Sequence, residues 1–126
     1  MPTDDPEATL ANLLRWVIVA WRDRGFGHLH HVGIQAGLAD AESASTYLRE
    51  VMDPLAHSVQ ALIERMVGRG QLCHSDPKKA ALQLLGPVML ALIHQDGLQG
   101  RVTSPLDEEA LARETAHGFL SAYAPV

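Results

Sequence analysis

Three imidazoles fall within four positions of this chain, at His28, His30 and His31. Neutral imidazole is a good ligand for zinc, nickel or copper. No cysteine or carboxylate stands among the three at a recognised ligand spacing, so a solvated or pocket-edge loop is the better reading. Glu114 and His117 form a Glu-x-x-His, the spacing that di-iron helical bundles use. Those sites need the motif twice and two further inward glutamates, and the chain holds one copy. Cys73 and His74 are adjacent at a turn, where a thiol rarely gains the lowered pKa and oriented base that a nucleophile needs. There is no glycine-rich phosphate loop, no nucleophile elbow and no pair of catalytic carboxylates. These residues argue against an enzyme and call for neither a metal nor a cofactor.

A second group suits binding rather than reaction. Methionine and aromatic side chains line adaptable apolar pockets, although they also fill ordinary cores. Trp16, Trp21, Phe26, Met52, Met66 and Met89 are of this kind, with Tyr47, Gln83 and His94 as polar groups able to orient a ligand. The candidate ligand-binding set is Trp21, Met52, Met66, Gln83, Met89 and His94.

Helices must position these groups. Ala and Leu abound, while Ile, Thr, Tyr and Phe are scarce, which disfavours a sheet. The first helix runs from about Pro6 to Arg24, with Asp5 as N-cap and Leu10, Leu13, Leu14, Val17 and Trp21 on one face. Residues 28–40 are ambiguous, because Gly33 and Gly37 weaken a helix there; a short one is expected around His31 to Gly37. A long helix from about Ser43 to Arg69 carries a stripe from Leu48 to Met66 that stays in phase across Pro54, so Pro54 predicts a bend and not a break. A third long helix starts at Asp76-Pro77 and reaches about Gln95, with a second kink expected at Gly86-Pro87. The last begins near Ser104-Pro105 and ends by Tyr123. The expected fold is all-α: a bundle of four long helices plus one short one, forming a single domain over residues 1–126.

The 126 residues suit one domain with a real core. Hydrophobic residues make up 47% and charged residues 20%, which is ordinary for a globular chain. The net charge is −5 and the lysines and arginines are scattered, so nucleic acid and acidic membranes are poor partners for this chain itself. One cysteine permits no internal disulfide, and the acidic start is unlike a signal peptide. The longest apolar stretch, Leu84 to Ile93, is too short for a bilayer, which takes roughly 20 residues. Together these place the protein in the cytoplasm.

The third long helix is apolar nearly all round, and such a helix must be covered on both sides. One side can serve the chain's own core. The other needs a partner, and a second copy closing an isologous four-helix contact is the commonest solution. The expected homodimer interface uses Leu85, Val88 and Leu92 with Ala112, Ala116, Phe119, Leu120 and Tyr123 from the last two helices.

From Tyr47 onward the sequence resembles the C-terminal ligand-binding and dimerisation domain of TetR-family transcriptional regulators. The resemblance rests on order and spacing: Ile63-Glu64-Arg65 ends a long helix, and Gly68-Arg69-Gly70-Gln71-Leu72 makes a turn before Asp76-Pro77. Ala80-Ala81, Leu84-Leu85-Gly86-Pro87-Val88-Met89 and His94-Gln95 follow, then the acidic Asp107-Glu108-Glu109 and finally Phe119-Leu120. It implies a dimer built from the last two helices and a small-molecule cavity enclosed by the earlier ones. It also implies that a mostly apolar effector changes the spacing of two DNA-binding heads, as in a repressor. The family's three-helix head has no counterpart before Leu10, so DNA contact is expected only through such a head. The alternative is a headless helical protein acting through protein–protein contacts, such as pairing with an intact regulator.

Overall fold

Aspartates set the helix starts. In the computed structural model, which describes residues 5–125, Asp5 accepts hydrogen bonds from the amides of Glu7 at 3.0 Å and Ala8 at 3.4 Å and opens α1, Pro6–Asp23. Asp76 opens α5, Pro77–Leu92, through the Lys78 amide at 3.0 Å. Asp107 opens α7, Glu108–Ala122, through the Ala110 amide at 3.0 Å. Each matches a free N–H at a helix start with a side-chain oxygen. The last helix thus starts three residues later than the Ser104-Pro105 signal suggested. A one-turn helix, α6 (Gly100–Thr103), precedes it instead.

The segment expected to hold a short helix is α2, Phe26–Ala39, a helix of 14 residues. Its glycines lie where a partner approaches. A Cβ on Gly33 would sit 2.2 Å from the Tyr47 ring, and one on Gly37 would sit 3.2 Å from the Ala44 Cα. Tertiary packing here outweighs the low helix propensity of glycine.

The partner is the next rod, which runs unbroken from Ala41 to Gly68. It comprises α3 (Ala41–Tyr47), a π-helical turn (Leu48–Met52) and α4 (Asp53–Gly68). Pro54 explains the π turn. Its ring has no N–H and would clash with the carbonyl four residues back, that of Glu50. The wider turn lets the Asp53 amide bond to the Leu48 carbonyl five residues back, which relieves the clash without a break. Pro87, in contrast, lies inside α5, which continues as an α-helix. A second π turn, Ile93–Gly97, extends α5 at its far end.

The core forms where α1, α4, α5 and α7 meet. Leu10, Leu14 and Val17 of α1, Val59 and Ile63 of α4, Leu84 and Val88 of α5, and Ala112 and Ala116 of α7 are buried together. α1 packs chiefly on α7, and α5 packs on α4 and α7; α2 and α3 form a pair to one side. Arg15 grips Glu109 at 2.7 Å, and His117 pairs with Glu7 at 2.6 Å, both across the α1–α7 seam. Among the described residues no strand occurs, and no helix is long and apolar enough to cross a membrane.

Candidate functional site

α2 presents its three imidazoles in different directions, since successive helical residues are about 100° apart. His28 and His31 are exposed, and His30 is buried. The cluster is therefore neither a loop nor one site, and no three His, Cys, Asp or Glu among the described residues are grouped to hold a metal ion. His117 of the Glu-x-x-His pairs with Glu7 instead.

His30 sits in an aromatic cluster. Its ring lies 5.4 Å from Trp21, 6.0 Å from Phe26 and 5.6 Å from Tyr47, centroid to centroid. Its Nδ1 is hydrogen-bonded to the Tyr47 hydroxyl. Burial pushes the His30 imidazole below its usual pKa and the Tyr47 phenol up to about 12, because leaving water disfavours the charged form of each. Both groups are neutral in the folded chain near pH 7.

From this cluster His30 reaches the wall of a cavity of about 470 Å³ between α2, the rod and α5. The π turn contributes Leu48 and Met52, α4 contributes Leu55, and α5 contributes Leu85 and Met89. Asp53, His57, Gln60 and Lys78 supply the more polar part of the wall. The volume falls within the range of small-molecule sites, and an apolar lining with few polar groups is their usual make-up.

A second cavity, of about 480 Å³, opens on the other side of Trp21 between α1, the start of α2 and the second π turn. His28, His31, Ile34, Ile93 and Asp96 line it together with Arg22. Arg22 is committed to a network in which it and Arg101 each bind both Asp96 and Glu108. This network ties α1 to the second π turn, α6 and α7. Nearby, buried Gln95 holds the approach to α7, donating to the Ser104 carbonyl and accepting from the Leu106 amide, both at 2.9 Å.

The structure brings Met52 and Met89 together on the first cavity's wall, and Trp21 on the wall of the second. The other three ligand-binding candidates lie elsewhere. Met66, at 2% exposure, is core. Gln83 lies on the outer side of α5, accepting a 2.6 Å hydrogen bond from the Tyr123 hydroxyl. His94 is exposed and pairs with Gln95 at 2.9 Å. The residues that sequence reasoning missed are His30 as a cavity group and Leu48 and Leu55 beside it. The available signal was Phe26 to His30, a spacing of four that places both rings on one helical face.

The residues expected at a dimer interface lie mostly on the inner sides of α5 and α7. Leu85, Val88, Leu92, Ala112, Ala116 and Phe119 are buried in the chain's own core, and Leu120 and Tyr123 are packed against it. The six buried side chains have little surface left for a second copy, whereas Leu120 and Tyr123 stay partly exposed. The outward faces of the same helices carry other residues: Gln83, Pro87 and Leu90 on α5, and Glu114, Gly118 and Ala122 on α7.

A family model described as AefR-like transcriptional repressor, C-terminal domain, matches residues 8–125. No curated protein and no solved structure matches the chain.

Proposed function

The chain belongs to the AefR-like transcriptional repressor C-terminal domains of the TetR family, and from that premise we propose that it senses a small, mostly apolar effector as a homodimer in the cytoplasm. Domains of this family commonly bind small-molecule effectors and dimerise. The observation that carries the reading is the 470 Å³ cavity, walled by Leu48, Met52, Leu55, Leu85 and Met89. Residues 8–125 act in it as one sensing unit.

One helix serves both roles in this reading. α5 gives Leu85 and Met89 to the cavity and turns Gln83, Pro87 and Leu90 outward, toward the face where a second copy packs. A ligand that prefers one placement of α5 against the rod therefore also selects one placement of the two subunits. Such a ligand shifts the equilibrium only by its difference in affinity between the two arrangements. The π turn at the cavity is the irregular part of the rod, the kind of local departure from the α register that often marks a functional site.

The test is a thermal-shift series of apolar compounds on the whole chain and on Met89→Trp, which fills the cavity. A binder present at 100 times its Kd stabilises the fold by about 2.7 kcal/mol. That stabilisation is expected in the parent and lost in the variant. Stabilisation that survives Met89→Trp places the ligand elsewhere and rejects the reading.

A further inference from the structure

The cavity is apolar enough to accept many molecules, and His30 is the one nine-tenths-buried polar side chain on its wall. Burial keeps it neutral, and Tyr47 sets its tautomer. Tyr47 is 8% exposed, and among the described residues its hydroxyl has no partner but His30 Nδ1. If Nδ1 carried the proton and donated, the buried phenolic hydrogen would be left with no acceptor. The matched arrangement has Tyr47 Oη–H donating to an unprotonated Nδ1. A neutral ring must then carry its proton on Nε2. The aromatic neighbours Trp21 and Phe26 add no charge that would favour a second proton. Nε2 has no protein partner among the described residues and is not among the fully enclosed, unmatched polar atoms. The donor is therefore not sealed off, and it belongs to a side chain that lines the cavity.

We propose that His30 is the specificity-determining residue of this cavity: its Nε2–H, fixed in that tautomer by Tyr47, selects neutral apolar ligands that carry a carbonyl oxygen. Ketones, esters, lactones and amides share this acceptor. Pure hydrocarbons lack it and leave the buried N–H unmatched when they displace water. An organic cation meets the donor with the wrong sign. Tyr47 acts as a positioning residue, holding the proton on the far nitrogen without touching the ligand. The inference rests on the reading of the cavity as an effector site, and its test separates the two.

Two measurements on the whole chain test it. Long-range proton–nitrogen NMR of the imidazoles is expected to show His30 with a protonated Nε2 and a bare Nδ1, and a mixture of tautomers in Tyr47→Phe. A wild-type ring protonated on Nδ1 overturns the proposal. The second uses acetophenone and α-methylstyrene, which share a shape and differ in C=O against C=CH₂. Loss of one hydrogen bond is worth about tenfold in affinity. The acetophenone-to-α-methylstyrene affinity ratio should therefore fall about tenfold in His30→Leu relative to wild type. If both bind and the ratio is unchanged, His30 does not select and the cavity reading stands. Binding of neither probe overturns both. Should His30→Leu fail to fold, the NMR result on the wild type still decides.

Discussion

A single buried imidazole makes stability depend on pH. Burial lowers the His30 pKa from its ordinary 6.5, whereas the unfolded chain takes up the proton near 6.5. Between those two values the unfolded state holds more protons, so stability rises with pH. It is complete above about 6.5 and drains away as the pH falls below it. Trp21, Phe26 and Tyr47 surround the ring, and the charged groups on the cavity wall are Asp53, Lys78 and, when protonated, His57. Urea midpoints at pH 7.5 and 5.0 should show a larger drop for the wild type than for His30→Gln, which cannot titrate. Equal drops would mean that His30 is not the group responsible. The sequence concealed this residue because two exposed histidines flank it and Gly33 and Gly37 argue for a loop. Its contacts with Trp21, Phe26 and Tyr47, the last seventeen positions away, distinguish it from them.

Helix starts were legible because an aspartate before a proline or a helix former is a local signal. α1 and α5 begin on one as expected, and the rod was expected within two residues of its observed start, whereas α7 begins on Asp107, three residues after the signal read for it. α2 was not legible, since its stability comes from what packs on its glycines. Two helical glycines therefore separate propensity from packing. Gly68 closes α4 with nothing within 4 Å of an added Cβ, whereas at Gly33 that Cβ would meet the Tyr47 ring at 2.2 Å. Propensity alone predicts that alanine stabilises both sites by roughly 0.5–1 kcal/mol. We expect that gain at Gly68→Ala only. Gly33→Ala should cost about 1–3 kcal/mol by overpacking, since the ring can move only by giving up His30. Urea denaturation of the two variants reads the difference in sign, and a stabilised Gly33→Ala would show that α2 and α3 are not packed this closely. The π turn was half legible: Pro54 announced a distortion, but its form depends on how the rod meets the cavity.

At the scale of the molecule, the sequence argument for a dimer rested on a helix apolar on too many sides, and α5 keeps exposed leucines after the chain's own core is built. α5 buries Leu84, Leu85 and Val88 within the chain and still shows Leu82 and Leu90 at 67% and 70% exposure. Leu90 shares the outward face with Pro87 and Gln83, and the Tyr123 hydroxyl bond to Gln83 places that face beside α7. There Gly118 and Ala122 offer little side chain to hold a second copy away. Packing across a two-fold axis brings each residue opposite the same face of its partner, so one substitution acts twice. Leu90→Arg with Gly118→Arg would bury four cations in the interface against only one carboxylate per subunit on that face, Glu114, which costs far more than surface charge changes do. Sedimentation at micromolar concentration should show a dimer for the wild type and a monomer for this variant. Leu38→Arg alters an equally apolar position, at 86% exposure near the end of α2, and should leave the dimer intact. If Leu38→Arg dissociates the dimer and the double variant does not, the subunits meet through α2. The effector cavity would then lie against the interface, and α5 would lose its double role.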